Sequence, residues 1–370
     1  MDIYSFDALI IGAGIAGATC AAHLSADLKV ALIEAEEVAG YHTTGRSAAI
    51  WIQNYGPADV QALTGASRSF FENPPEGFAE APLMSPRACI NLAAAHQVAA
   101  FETMLAGGTG LREISVASVR EMIPALRPDY AVRASIEEES FDMDVAALHQ
   151  GFLRLLKAQG GVLALRNRAG RISREGGQWH VETSSGAMFH APVLVNAAGS
   201  WGDLVAEQAG VAKIGLQPKR RTAVVIDPAP FQPANWPMVV DVGHTWYARA
   251  EARTRLMVSP ADETPDVPHD VQPDELDVAI AIDRMQQALD IEVRRTEHTW
   301  AGLRTFTPDG SLAFGWDGAA GGFMWCVGQG GYGIQTSPAA GRLVSDLVLG
   351  RDPGIAGKIL ARMDPRRFSA

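Results

Sequence analysis

The chain has 370 residues, 47% hydrophobic and 20% charged, which is the balance of a soluble globular protein and enough length for two domains sharing one crevice. A formal net charge of −11 and a pI near 5.3 exclude a polyanion such as nucleic acid as an expected partner. Cys20, Cys89 and Cys326 lack CxxC spacing, which excludes a disulfide framework and a zinc site and points to a reducing compartment; no metal is expected. Met1 to Asp7 carries acid where a signal peptide carries base, and no stretch is long enough to span a bilayer. The expected location is therefore cytoplasmic, with no transmembrane segment.

In chain order, Asp7 to Ile11 reads as a buried strand and leads directly into Gly12-Ala13-Gly14-Ile15-Ala16-Gly17. A helix through Ala18–Leu24 follows, then a second apolar strand, Lys29–Ile33, which ends at Glu34. This is a dinucleotide-binding fingerprint. Gly12 permits the tight turn, Gly14 the approach of a pyrophosphate, and Gly17 close packing of helix on sheet. The helix start offers free N–H groups and a positive dipole end to phosphates. Glu34, 22 residues after Gly12, can accept hydrogen bonds from ribose hydroxyls and would repel a 2′-phosphate.

A small polar loop, Gly40 to Ala49, leads into a helical stretch, and Ala147–Gln159 has helical spacing at Leu148, Phe152, Leu155 and Leu156. Short alternating strands are expected at 162–165, 179–183 and 187–190, before a buried strand, Val193 to Gly199, that ends in small residues. From Leu216 to Leu256 strands alternate with Pro-rich turns, the pattern of an antiparallel sheet. Ala261–Asp277, rich in Pro and acid, reads as a surface loop. A second glycine cluster spans Gly328–Gly333, and Ser337-Pro338 has the form of an N-cap and first helical residue for a helix to about Leu349.

Several of these blocks together carry a resemblance. They are Ile11–Gly17, Tyr41–Ser47, Val195–Gly199, Leu216–Arg221, His298–Arg304 and Gly330–Thr336. The chain resembles the FAD-dependent D-amino acid oxidase superfamily, most closely its bacterial D-arginine dehydrogenase branch. The resemblance implies a mixed α/β (α+β) fold, in which a Rossmann-like FAD-binding domain (1–85, 145–215 and 310–370) is interleaved with an antiparallel β-sheet substrate domain (86–144 and 216–309). It also implies FAD held by Gly12, Gly14, Ile15, Ala16, Gly17 and Glu34, and by His42, Thr44, Gly45, Arg46, Ser47 and Ala48. The same role falls to Ala198, Gly199, Trp201, Gly302 and Arg304, and to Gly330, Gly331, Tyr332, Gly333, Ile334 and Gln335 in the C-terminal cluster. The helix start after Gly330-Gly331 would lend positive potential to the flavin edge.

By the same resemblance Arg221 and Arg304 occupy the carboxylate-binding positions, and Tyr55 and Tyr247 match tyrosines that help hold the substrate. A planar guanidinium suits a carboxylate because it binds it bidentately. The implied reaction is oxidation of a D-amino acid by hydride transfer to flavin N5, giving an imino acid that hydrolyses to a 2-oxo acid and ammonia. The reduced flavin then needs an electron acceptor, whether a quinone, another carrier or O₂.

The side-chain pocket departs from the D-arginine dehydrogenases. Their glutamate position is Cys89 here, a histidine is Ile50, and a threonine is Ile52. With Met238, Val240 and Gln335 these form the expected pocket. A buried cation there would lack its counter-charge, so apolar D-side chains are expected; the alternative is an acid from elsewhere, such as Glu137 to Glu139, that re-creates the anionic end, although those residues read as a solvated loop. Oxidation of a 2-hydroxy acid or of an N-methyl amino acid (a sarcosine or glycine oxidase-like activity) would use the same arginines. An NAD-dependent dehydrogenase fits the fingerprint alone, and the second glycine cluster speaks against it. A flavin-binding module without turnover is opposed by the arginine pair with its tyrosines.

Related amine oxidases tether flavin to a cysteine just before a Thr-Pro-Asp segment, and Gly302–Asp309 contains none. The FAD is expected to be non-covalent: acid precipitation of the yellow protein releases all colour to the supernatant, and colour kept by the pellet would contradict this.

Overall fold

The computed structural model describes residues 3–368. Its first sheet runs in the order 162–164, 30–33, 8–11, 193–196, 323–327, 313–316, parallel throughout except for the last pair. These strands are apolar on both faces because both faces are covered. Ile10, Leu32, Val195 and Met324 face the helices Ile15–Leu24, Val145–Ala158 and Gly333–Val348. Their neighbours Leu9, Ile33, Leu194 and Trp325 pack beneath Trp179, Val181 and Phe189 of a four-stranded sheet.

The second large sheet has nine strands. From one edge the order is 264–265, 217–226, 255–259, 247–251, 238–241, 89–93, 133–137, 111–114, with Thr296–Phe306 also paired to Gln217–Ile226. Alternation along the strands sorts side chains to two faces. Ile90, Leu92, Val239, Ala248 and Val258 pack against Ala281, Met285 and Ala288 of the helix Glu275–Ala288. Cys89, Met238 and Val240 point the other way. A three-stranded sheet of residues 50–51, 141–143 and 84–86 joins segments from both sides of the two-part division, which we retain as a proposal.

The structure differs from the sequence reading at four places. The sheet expected to be antiparallel contains one parallel pair, Met238–Asp241 with Cys89–Ala93, because strands distant in the chain meet there. The helical stretch expected after Ala49 is preceded by the strand Ile50–Trp51 and begins at Ala58. The last long helix starts at Gly333, so Pro338 lies inside it. Proline at that position removes the hydrogen bond to the Ile334 carbonyl, and Ser337 Oγ donates to that oxygen instead at 2.9 Å. The segment 261–277 is also no simple surface loop. Asp262 is buried against Thr222, and Asp277 pairs with Arg220 at 2.9 Å, so its acids answer groups on the paired strand.

The helix Ile15–Leu24 touches Gly333–Val348 most closely at Gly341, where an added Cβ would lie 2.6 Å from Thr19 Cβ. Gly341→Ala forces this junction apart, and the expected loss is about 1–3 kcal/mol in denaturant unfolding. An unchanged unfolding midpoint would show that the two helices separate freely.

Candidate functional site

One cavity of about 1130 Å³ runs from Glu34 and Asn167 at one end to Met104, Leu111 and Glu137 at the other. At its first end three backbone segments meet. Gly12 has φ +101°, and a Cβ there would lie 2.6 Å from the Ala197 carbonyl; a Cβ on Gly17 would lie 1.9 Å from Gly12 O. At Gly14 the approach is also close, since a Cβ there would lie 3.2 Å from Thr44 Oγ1. Thr44 Oγ1 accepts the Ile15 N–H at 2.9 Å, and His149 Nε2 lies 2.9 Å from Ala13 O. Glu34 accepts from the amides of Ala13 at 2.7 Å and Glu36 at 2.9 Å, which holds the carboxylate at the strand end. The first turns of both Ile15–Leu24 and Gly333–Val348 line the cavity and bring two positive helix ends to it.

The middle of the cavity lies over the nine-stranded sheet. Antiparallel register sets Arg221 opposite Gly302 and Lys219 opposite Arg304, so both arginines stand on one face with no side chain across from Arg221. Arg304 is half-buried and donates to the Tyr55 hydroxyl at 3.1 Å. Arg221 Nε donates to Asp262 O at 2.8 Å, and its Nη2 lies 3.4 Å from Glu263 Oε1. Tyr247 reports the local potential: burial alone would push its phenol pKa up, yet Arg304 and Arg221 hold it below its ordinary value. An anion is favoured at this point. Beyond it lies an apolar patch of Ile52, Cys89, Met238 and Val240, flanked by Ile50, Tyr55 and Tyr247.

This arrangement meets a family signature over most of the chain. Residues 7–347 match the DAO family, described as FAD dependent oxidoreductase. The chain belongs to that family. A curated relative, FAD-dependent oxidoreductase domain-containing protein 1 of Xenopus laevis, is 26% identical over 198 residues, 48% of this chain and 38% of that protein. The chain thus spans well under half of that relative. Glycine oxidase from Geobacillus kaustophilus superposes with a TM-score of 0.85 at 21% identity, covering 98% of this chain and 99% of that one. L-proline dehydrogenase from P. horikoshii gives 0.84 at 21% identity, covering 100% and 99%. At this identity the likeness establishes the fold.

The cavity fits the FAD of the DAO family. The bare backbone at Gly12 and Gly14, two helix N-termini, an acceptor at Glu34 and the length of the cavity are what a dinucleotide requires. Of the expected cofactor residues, Ile15, Ala16, His42, Thr44, Ser47, Ala48, Ala198, Gly199, Trp201, Gly302 and Gly330 to Gln335 line it. Gly17 and Gly45 do not; each sits where a Cβ would strike backbone, 1.9 Å from Gly12 O and 2.7 Å from Gly40 O, and shapes the cradle from behind. Arg46 lines the wall, but its guanidinium binds the carbonyls of Val271 and Ala301 and the Asp270 carboxylate. His42 stacks beside Trp201, ring centroids 4.6 Å apart, with Nε2 3.2 Å from Glu36. Cys20 and Cys326 lie in the helix-side core, where burial pushes the Cys326 thiol up to about 12.

All six expected pocket residues line the same cavity. The Gln335 amide is already engaged, donating to Thr64 Oγ1 at 2.8 Å and exchanging hydrogen bonds with the backbone of Ile52. Glu137 corrects the sequence reading. Glu138 and Glu139 are exposed and paired with Arg112 and Arg68, but Glu137 is buried at the end of the strand Arg133–Glu137 and lines the cavity. Burial pushes its carboxyl above the usual range. The alternation Ala134 and Ile136 to the core, Ser135 and Glu137 to the other face, was the available signal.

Gly331 lies where an added Cβ would sit 2.7 Å from Arg304 Nη1 and 3.1 Å from the Tyr55 hydroxyl. Gly331→Ala displaces both, and the Kd for a simple carboxylate such as benzoate is expected to rise about tenfold, ~1.4 kcal/mol. Equal affinity, read from the flavin spectrum, would show that Arg304 does not hold the anion.

Proposed function

We propose that the protein oxidises free α-amino acids of D configuration to imino acids, which hydrolyse to 2-oxo acids and ammonia, and passes the electrons to a separate acceptor. The observation that carries the reading is the half-buried pair Arg221 and Arg304, set on one sheet face at the middle of an FAD-sized cavity. When bound, FAD accepts the two electrons that leave with the substrate Cα–H. The chain's own part is to bind and orient. Arg221 and Arg304 receive the carboxylate, and the Tyr55 hydroxyl, tied to Arg304, fixes the angle of that grip. Tyr247, held under the influence of both guanidiniums, adds a hydroxyl on the same side. The first carbons of the side chain lie against Ile50, Ile52, Cys89, Met238 and Val240. Fixing the carboxylate and Cα in one pose supplies much of the rate enhancement through orientation. The D configuration rests on the resemblance of the sequence blocks, since solved structures of this fold include a glycine oxidase, an L-proline dehydrogenase and an L-amino acid deaminase.

The deciding experiment is anaerobic bleaching of the flavin by D- and L-amino acids, 2-hydroxy acids and N-methyl amino acids. D-amino acids are expected to bleach it fastest; faster bleaching by L-amino acids or by 2-hydroxy acids would overturn the configuration or the amine chemistry respectively. Arg221→Ala and Arg304→Ala each remove a charge-assisted pair worth about 2–5 kcal/mol in buried settings. The expected fall in kcat/KM is on the order of 30-fold to several thousand-fold, with flavin content unchanged. Near-intact activity in both variants would move the carboxylate elsewhere.

A further inference from the structure

Past the apolar patch the cavity has an end that carboxylate binding and α-carbon oxidation leave unused. Glu137 stands there, directly opposite Cys89 on the cavity face of the sheet and 4% exposed. Its Oε1 accepts the Gln53 backbone N–H at 2.9 Å. Among the described residues Glu137 makes no ion pair, and the hydrogen bond its carboxylate accepts comes from a backbone N–H. Burying a carboxylate without a cation is unfavourable, and the adjacent Glu138 and Glu139 show the ordinary arrangement, exposed and paired. Glu137 is an acid kept in a cavity wall without its counter-charge.

Position says what could supply that charge. The strand of Glu137 lies three steps from that of Tyr247, through 89–93 and 238–241, about 14 Å at the usual strand spacing. The floor between them is Cys89, Met238 and Val240, with no charged side chain. A ligand gripped at the arginines must cross this floor on apolar atoms before it meets the carboxylate.

We propose that Glu137 selects the substrate side chain by receiving a cationic end, an ammonium or guanidinium, carried on a linear chain of methylenes that lies over Cys89, Met238 and Val240. The inference rests on the amino-acid reading of the site, and it replaces the apolar-ended side chain expected from Cys89, Ile50 and Ile52 alone. The acid missing at Cys89 is supplied one strand further on.

The test uses the intact FAD-loaded protein and two substrates of equal length, D-lysine and D-norleucine, which differ in the terminal amine. D-lysine is expected to exceed D-norleucine in kcat/KM by about 30-fold or more, as for a buried charge pair. Glu137→Gln keeps an acceptor for the Gln53 amide and removes the charge. It is expected to erase the gap while D-norleucine stays within about threefold. A gap that survives the substitution, or an equal loss for both substrates as from a purely structural role, overturns the proposal. Binding of 6-aminohexanoate against hexanoate to the unmodified protein, by calorimetry, needs no variant. The amine is expected to tighten binding at least about tenfold, and equal or weaker binding overturns the role of Glu137. Failure of every amino acid to bleach the flavin overturns the amino-acid reading instead, and the calorimetric comparison separates the two failures.

Discussion

The pairing of Gln217–Ile226 with Thr296–Phe306 governs the site, because it decides which side of the sheet Arg221 and Arg304 occupy. Side chains alternate with a period of two, so a slip of one residue in this register would send one arginine into the core beneath the sheet. That core is apolar around Val224, Ile226 and Met285, where an unpaired guanidinium has no place. The energetics of the far face therefore enforce the geometry of the near one. Gly302, across from Arg221, keeps the floor open at the point where two positive groups converge.

Two like charges held close in a half-buried setting need local compensation short of neutralisation. Arg221 obtains it from a backbone carbonyl, Asp262 O, and from the partly exposed Glu263; Arg304 obtains it from a tyrosine hydroxyl. Neither has a close bidentate carboxylate, which would cancel the field felt by Tyr247. Arg220, the next residue along the strand, is treated oppositely: it faces Asp277, Asp266 and Asp274. Strand alternation alone separates a cation neutralised by aspartates from one that faces the cavity.

What could be read from the sequence was local. The strand, glycine turn, helix and acid of Ile10–Glu34 lie within one unit, so each residue's role follows from its neighbours in the chain. The buried strands and the helix Val145–Ala158 were legible from apolar periodicity for the same reason. The apolar patch formed because Cys89, Met238 and Val240 alternate on half-buried strands, although their parallel pairing came from long-range topology that no local pattern encodes. Glu137 was misread because it opens an acidic triplet, and the burial of one member depends on where the strand ends. Asp262 and Asp277 were hidden likewise, since their partners lie about 40 and 57 residues away in sequence. Pro338 misled because an N-terminal proline and a proline one turn further in look alike until the helix start is known.

Gln335 gives two walls of the cavity a common support. Its side chain ties the backbone of Ile52 and the hydroxyl of Thr64 to the first turn of the helix Gly333–Val348, which lines the cavity. Tyr55 lies three residues beyond Ile52, and its ring meets Tyr332 at 4.9 Å, beside the same helix start. The wall that carries Ile52 and Tyr55 is thus hung from a helix start that lines the same cavity. A shift of that helix start would carry the Ile52–Tyr55 wall with it, so the two parts of the cavity change shape together.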